Sequence, residues 1–238
     1  RWRQALAREA ARSPRNASQA LGRAVADAVI HTVAQAAAAS PVASPAKAMK
    51  DKPPTRDPKP PAVPDPGEPI YVANAGMVLA EPFLPRLFAL RGLLADDGKS
   101  FKDTVAAAKA AHLLQALVLG EAARGGSPEH ELVLNKLMCG LQIADPLAWE
   151  GELAAEDLSV VDSLLGAMLQ QWKVLGSTTV AGLRETFLRR EGRLLCNDDH
   201  WLLVVEAGPF DMLVDQVPWG FSTIRFPWME RMIHVQWR

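Results

Sequence analysis

Apolar residues recur every three or four positions through much of the chain after residue 76. The clearest case is about 155–174, where Leu158, Leu165 and Trp172 would share one face of a helix. Helices with one apolar face need a common core to bury that face. The same spacing predicts helices that begin near Pro82 and that cover about 102–119, 128–139 and 178–190.

Residues with known preferences for helix ends mark the limits of these helices. Ser127, Pro128 and Glu129 form a helix start, because serine caps, proline suits the first turn and glutamate faces the helix dipole. Glycine commonly follows the last turn of a helix. The glycines that follow or separate the predicted helices are Gly92, Gly120, Gly140, Gly176 and Gly192.

The hydrophobic period changes to two after Gly192. Residues 193–196 and 201–206 flank Asn197-Asp198-Asp199-His200, which predicts a β-hairpin with a four-residue turn. Phe210–Val217 is predicted to be a short helix or turn, and the alternation over 232–237 predicts a last strand. We therefore expect a mainly α fold, a helical bundle with a small C-terminal three-stranded antiparallel sheet.

The first 69 residues differ in composition from the rest. Residues 1–39 are rich in Ala and Arg, and an apolar stripe from Leu21 to Val33 predicts a helical segment. Residues 40–69 contain ten of the 18 prolines, which predicts a semi-rigid extended linker and favours a tether over a proline-rich peptide ligand. Residues 70–238 are expected to form one compact, mostly helical domain with the C-terminal hairpin.

Charge is distributed unevenly, although the 238-residue chain has a formal net charge of only −1. Residues 1–39 carry six Arg against Glu9 and Asp27, a net of +4. Residues 70–238 carry 15 Lys and Arg against 21 Asp and Glu, a net of −6. The two ends either face different partners or present two solvated surfaces of opposite sign.

The two cysteines, Cys139 and Cys196, cannot form a disulfide framework, so a reducing compartment fits best. A single disulfide between them stays an alternative.

Apolar residues make up 49% of the chain, which is typical of a globular protein with a core. No run of 18 apolar residues occurs, so no membrane span is predicted. The acidic main domain has no stripe of basic and aromatic residues, so nucleic-acid binding is not expected.

Candidate catalytic groups are few and scattered. Glu129, His130 and Glu131 are adjacent, and adjacent helical residues point about 100° apart, so they cannot converge on one metal. Asp198-Asp199-His200 fits a turn better than acid–base chemistry, and His112 fits a satisfied core or boundary histidine better than a base. We therefore expect no enzyme activity, no cofactor and no metal site. The spacing of His130, Cys139 and His234 does not fit a zinc site either.

Tryptophan is concentrated near the C-terminus, where six of the seven lie between 149 and 237. Trp219, Phe221, Trp228 and Met229 stand in a loop-like segment before the last strand. Tryptophan is common both in cores and at interface hot spots. These four residues are therefore candidates for partner binding, and the alternative is that they fasten an irregular loop to the sheet.

A series of motifs runs in order over about 70–238. They are Asn74-Ala75-Gly76, His112–Gln115, Leu134–Leu141, Gln171-Trp172 with Leu175-Gly176, Leu183-Arg184-Glu185 with Phe187-Leu188, Trp201–Glu206, Gln216–Gly220, Pro227-Trp228-Met229 and Val235-Gln236-Trp237. Together these motifs resemble the C-terminal region of contractile injection system tape measure proteins, which belong to phage-tail-like particles. The first 69 residues take no part in this resemblance.

The resemblance implies a non-enzymatic protein of the inner tube that helps to set tube length during assembly. Its implied partners are tube, hub or baseplate proteins, with self-association as a further option, and no catalytic residues carry over. It implies a location in the cytoplasm during assembly and then within the particle. The alternative is a helical adaptor that binds a partner through its Trp-rich C-terminal loop. A hydrolase that uses His112 or His200 is disfavoured.

Length limits the measuring role of this chain. A helix rises about 1.5 Å per residue, so the roughly 35 helical residues before the linker would extend only some 50 Å. The sequence also begins Arg1-Trp2-Arg3 without an initiator methionine. We expect either a fragment whose long ruler is missing or a member that keeps the end domain alone.

Overall fold

A computed structural model describes residues 68–237. The predictions for the helical segment 1–39, and for the 40–69 linker except its last two residues, lie outside the described residues. Five strands form one mixed sheet in the order β1-β2-β3-β5-β4. They are β1 (Ile70–Val72), β2 (Gly192–Cys196), β3 (His200–Val205), β4 (Thr223–Ile224) and β5 (Met232–Trp237).

The helical part lies between β1 and β2 in the chain, apart from one short helix after β3. Its helices are α1 (Leu84–Leu90), α2 (Thr104–Leu119), α3 (Val133–Met138), α4 (Ala155–Gln171) and α5 (Val180–Leu183), and α6 (Asp211–Val214) follows β3. Four 3₁₀ segments, Ala75–Phe83, Gly120–Ala123, Glu129–Leu132 and Lys173–Leu175, and one π segment, Arg184–Leu188, complete it.

The expected fold class is wrong. Helical residues make up 46% of the structure, and the sheet has five strands of mixed direction instead of three antiparallel ones. β5 lies parallel to β3, with Trp201 opposite Ile233, because the chain crosses over between them. β1 adds an edge strand through the pairing of Ile70 with Leu194. The domain is better described as α+β.

The predicted hairpin and several predicted helix ends are present. β2 and β3 pair antiparallel, and the buried face of β3 carries Trp201, Leu203 and Val205 as expected. Four of the five predicted end glycines, Gly92, Gly120, Gly140 and Gly176, have positive φ, whereas Gly192 begins β2. The predicted helices at 128–139, 155–174 and 178–190 each break into an α-helical part and a 3₁₀ or π turn.

Helix α2 is the centre of the domain and is buried almost all round. Asp103 caps its first turn by accepting a hydrogen bond from the Ala106 amide at 2.7 Å. Ala107, Ala110 and Ala111 are buried and small, so neighbouring backbones can approach the helix from several sides. Helices α3 and α4 and the 3₁₀ segment 75–83 pack around it.

Three buried amide side chains join separate parts of the helical layer. Asn74 Nδ2 donates to Gln115 Oε1 at 2.9 Å and to Asn135 Oδ1 at 2.7 Å. Asn135 Nδ2 donates to the Ala111 carbonyl at 2.9 Å. This amide cluster, Asn74, Gln115 and Asn135, therefore ties the segment after β1 to both α2 and α3. Buried polar groups of this kind are costly unless they are paired.

A buried carboxylate performs a similar task at α4. Asp157 has no exposed side-chain area and pairs with Arg91 at 2.5 Å and with Lys109 at 3.0 Å. It also accepts the Ala154 amide at the start of α4 at 3.0 Å. Burial alone raises the pKa of Asp157, but the Lys109 hydrogen bond, the Arg91 charge and the Ala154 amide outweigh it, so the pKa is lowered. The end of α1, α2 and α4 thus meet at one ionised group.

Asn135→Ala is expected to lower the free energy of unfolding by about 1–3 kcal/mol, because it removes a partner of the buried Asn74 amide. The measurement is urea unfolding of the full chain followed by circular dichroism. Gln216→Ala, at an exposed amide, is the control and is expected to change the free energy by less than about 0.5 kcal/mol. Equal small effects would contradict the structural role of the cluster.

Glu81 is expected to make stability fall as pH rises. Burial raises the pKa of this partly buried carboxyl from 4.5 to about 7. The folded state therefore binds its proton more tightly than the unfolded state does, and stability is lost between about pH 4.5 and 7. At pH 8, Glu81→Gln should have a free energy of unfolding up to about 3 kcal/mol higher than that of the parent. It should therefore unfold at a higher urea concentration.

The difference between the two proteins should fall to about 0.4 kcal/mol at pH 4.5, where Glu81 is protonated in the folded state and half protonated in the unfolded state. Glu152→Gln, at an exposed carboxylate, is the matched control and should show no such dependence. A Glu81→Gln stability curve that stays parallel to the parent curve from pH 4.5 to 8 would rule out this role for Glu81.

Candidate partner-binding surface

The predicted partner-binding residues lie in the crossover from β3 to β5, residues 206–231, which we call the aromatic connection. It contains α6 and β4 and returns the chain to the neighbouring position in the sheet. Trp219, Phe221, Trp228 and Met229 are each partly buried and pack against the main core. The crossover is thus fastened to the domain at several separate points.

Trp219 fastens the middle of the aromatic connection to the 3₁₀ segment 75–83. Its Nε1 donates to the Leu79 carbonyl at 2.9 Å. Its ring meets Phe83 edge-on at 5.1 Å between centroids and Trp172 at 6.4 Å. An indole N–H with a backbone acceptor and edge-on aromatic neighbours has the usual environment of a structural tryptophan.

Trp228 fastens the end of the aromatic connection to α3. Its Nε1 donates to the Met138 carbonyl at 3.0 Å, and its ring stacks on Phe226 at 5.0 Å. Phe88 and Phe101 lie edge-on or tilted to it at 5.9 and 5.1 Å. A Cβ at Gly140 would lie only 2.2 Å from the Trp228 carbonyl oxygen, so only glycine allows this approach.

Phe221 and Met229 make weaker contacts than the two tryptophans. The Phe221 ring meets Trp237 of β5 edge-on at 5.8 Å. Met229 Sδ accepts a hydrogen bond from the Phe226 amide at 3.5 Å. All four predicted residues pack against the core and still keep part of their surface exposed. Their packing explains the fold of the connection, and the exposed part of each side chain stays available to a partner.

Sequence reasoning missed an exposed apolar pair in the same connection. Phe210 is 52% exposed and Met212 is 67% exposed, whereas Asp211 between them is only 3% exposed. A single exposed apolar side chain is ordinary, but neighbouring ones can together form the kind of patch that marks an interaction site. Apolar and polar residues alternate over Phe-Asp-Met, residues 210–212. Because this segment was predicted only as a short helix or turn, the alternation did not show which side chains are buried.

Asp211 is buried because it binds Arg190. Arg190 Nη1 donates to Asp211 Oδ1 at 2.9 Å, and the Gly208 amide donates to Oδ2 at 2.8 Å. The Arg190 guanidinium also lies over the Trp237 ring, 5.5 Å from its centroid. Burial alone raises the pKa of Asp211, but the Arg190 and Gly208 hydrogen bonds outweigh it and lower the pKa. This pair fixes α6 and turns its two apolar neighbours outward.

The groups considered for catalysis serve the fold or stand apart. Glu129 accepts a hydrogen bond from the buried Lys136 ammonium, which also donates to the Ile143 and Asp145 carbonyls. His112 lines a cleft beside Trp149 that His200 does not line. Within residues 68–237, no three His, Cys, Asp or Glu side chains are grouped to hold a metal ion.

Asp198-Asp199-His200 forms the predicted hairpin turn. The Asn197 amide donates to the His200 carbonyl at 3.0 Å, which closes the turn. Asp199 Oδ1 lies 2.6 Å from His200 Nδ1, and this hydrogen bond lowers the pKa of Asp199. The pair is exposed at the end of the hairpin, where it serves the turn.

One stretch, Thr104–Ala123, is long and apolar enough to cross a bilayer by length and composition. However, 72% of its most apolar window is buried inside the domain. Since α2 is the central helix, core packing accounts for this composition.

The segments that carry the family resemblance contact one another in the structure. Asn74, Gln115 and Asn135 form the amide cluster, although each belongs to a different motif. A Cβ at Gly76 would lie 1.7 Å from the Phe187 carbonyl oxygen, so the first and the fifth motif also meet without room for a side chain. The motifs therefore describe one three-dimensional unit.

A family model described as contractile injection system tape measure protein matches residues 1–237. The chain belongs to this family. The match corrects the resemblance drawn from the motifs, because it includes the first 69 residues. The tape measure family is structural, so the chain is a structural component of a contractile injection system. No curated protein and no solved structure matches the chain.

Trp228→Ala and Trp219→Ala should each lower the free energy of unfolding by about 3 kcal/mol or more, because each removes a ring from the core and frees a buried carbonyl. Thermal and urea unfolding of this tape measure protein measure the loss. Phe221→Ala, with one edge-on contact, should cost clearly less. Intact stability of the tryptophan variants together with lost assembly would instead assign both rings to an interface.

Proposed function

We propose that the domain formed by residues 70–238 docks the tape measure protein to tube, hub or baseplate components of the particle, without catalysis. The observation that carries this proposal is the aromatic connection, which is fixed to the core and yet presents apolar surface. Family membership supports the structural role. The partners themselves are our proposal.

The docking surface in this proposal combines two sets of side chains. Phe210 and Met212 provide the exposed apolar area, and Arg190 with Asp211 holds them in place. The partly exposed Trp219, Phe221, Trp228 and Met229 lie further along the same connection. Aromatic and methionine side chains are enriched at the centres of protein interfaces, which supports this choice.

The remainder of the chain has a connecting role in this proposal. In this proposal the Ala- and Arg-rich residues 1–39 are joined to the docking domain through the proline-rich residues 40–69, which act as a spacer. The protein joins the particle during assembly in the cytoplasm and then stays within it.

The paired substitution Phe210→Ser and Met212→Ser should weaken docking about 30-fold or more, since truncating interface hot spots costs about 2 kcal/mol. Folding should be unchanged, because both side chains are mainly exposed. The measurement is the Kd of the full chain for the purified tube, hub and baseplate proteins of the same particle, with circular dichroism to check folding.

Val105→Ser is the matched control, because Val105 is also an exposed apolar residue but lies on α2. It should leave the affinity unchanged. Absence of binding to all tube, hub and baseplate proteins would overturn the docking proposal. Tight binding of a protein from outside the particle through the Trp-rich loop would favour the alternative, a helical adaptor.

A further inference from the structure

A cleft beside α2 is lined by no residue of the aromatic connection and has no part in the docking proposal. It has a volume of about 410 Å³ and lies between α2, the turn after residue 124 and the loop around residue 149. We call it the His112 cleft. Its principal lining residues are His112, Gly126, Glu129, Leu147, Trp149 and Glu150.

His112 presents an unpartnered nitrogen at the wall of this cleft. The residue is only 6% exposed, and its Nδ1 has no hydrogen-bond partner among the described residues. A Cβ at Gly126 would lie 4.0 Å from Nδ1 and 3.8 Å from Cε1, so this edge of the ring faces bare backbone that lines the cleft. A ligand that hydrogen-bonds Nδ1 would satisfy a buried polar atom.

The His112 ring is suited to accept a hydrogen bond. Burial lowers its pKa more than the Glu129 charge raises it, so the imidazole is neutral near pH 7. A neutral imidazole has one acceptor nitrogen. The ligand group at this position is therefore expected to be a hydrogen-bond donor.

The charge of the cleft favours a cation. Glu129 and Glu150 both line it, and no Lys or Arg does. The Lys136 ammonium pairs with Glu129 and donates to the Ile143 and Asp145 carbonyls, so it offsets the charge of Glu129. Glu150 is therefore the carboxylate that gives the cleft its negative charge. The Trp149 ring, 4.8 Å from the His112 ring between centroids, adds an aromatic face that attracts cations.

A guanidinium group fits these features better than a metal ion or an ammonium. The described residues provide no group of three metal ligands. A guanidinium is planar and carries five N–H donors, so it can stack on Trp149, donate to His112 and pair with Glu150 together. An ammonium cannot stack in this way.

The sequence itself contains a source of such groups. Six arginines lie between Arg1 and Arg23, in a region of net charge +4, whereas residues 70–238 carry −6. The 44 residues between Arg23 and Glu68 extend at most about 145 Å, which allows contact within one chain or between copies. We propose that the His112 cleft binds an arginine side chain from residues 1–23 of this protein.

Site-specific photo-crosslinking of the purified full chain tests this proposal. A photo-reactive phenylalanine analogue replaces Pro128, an exposed residue of the cleft rim, and mass spectrometry maps the products. Crosslinks should connect position 128 with residues 1–23. Mixed isotope labelling separates contacts within one chain from contacts between copies. Crosslinks that fall only elsewhere, or no crosslinks at all, would overturn the proposal.

Matched variants test the chemistry of the contact. Glu150→Gln should lower the crosslink yield about fivefold at low salt, because it removes one exposed ion pair, whereas Glu152→Gln should leave it unchanged. Replacement of all six arginines by lysine keeps the charge but removes the stacking group and should also lower the yield. An unchanged yield in Glu150→Gln or in the lysine variant would refute binding of a guanidinium in the cleft.

If replacement of Pro128 impairs folding, the photo-reactive residue is placed at Leu147, which also lines the cleft.

Discussion

The amide cluster of Asn74, Gln115 and Asn135 is the constraint on which the arrangement of the domain depends. It fixes where the chain leaves β1 and enters the helical layer, and it sets α2 against α3. Apolar contacts alone tolerate small shifts, but the hydrogen bonds between these buried amides form only in one arrangement. The close approach of Gly76 to the Phe187 carbonyl follows directly after the cluster, so it depends on the same positioning.

A second buried polar contact links the sheet to the surface of the domain. Arg190 precedes β2, Asp211 begins α6, and Trp237 ends β5, so their contact joins the start of β2 and the end of β5 to the crossover. Asp211 is drawn inward, whereas Phe210 before it and Met212 after it keep exposed side chains. The apolar surface at α6 thus results from a polar interaction beneath it, and the two tryptophans keep the remainder of the crossover close to the core.

The features that could be predicted from the sequence are those that depend on neighbouring residues. The hairpin, its buried face and four helix-ending glycines have short-range causes, and the structure has them. β1 and β4 are too short for a period of two to be visible. The direction of β5 depends on the crossover, which alternation does not encode. Trp219 and Trp228 were recognised as candidates, but Phe210 and Met212 were not. The buried side of α6 is determined by contacts with residues distant in the sequence, such as the Arg190 pair with Asp211 and the hydrogen bond from Trp172 to the Leu213 carbonyl.

The strand order also has a consequence for the sequence of events during synthesis. β4 emerges from the ribosome before β5, yet β5 is its only partner in the sheet. β1 waits even longer, because its partner β2 is separated from it by more than a hundred residues. The helical layer from α1 to α5 can associate early, but the sheet can close only after β5 is free. A nascent chain therefore leaves β1 unpaired for most of the synthesis of this domain and β4 only for its last few residues, so the long stage with β1 unpaired is the one at which a chaperone would be most effective.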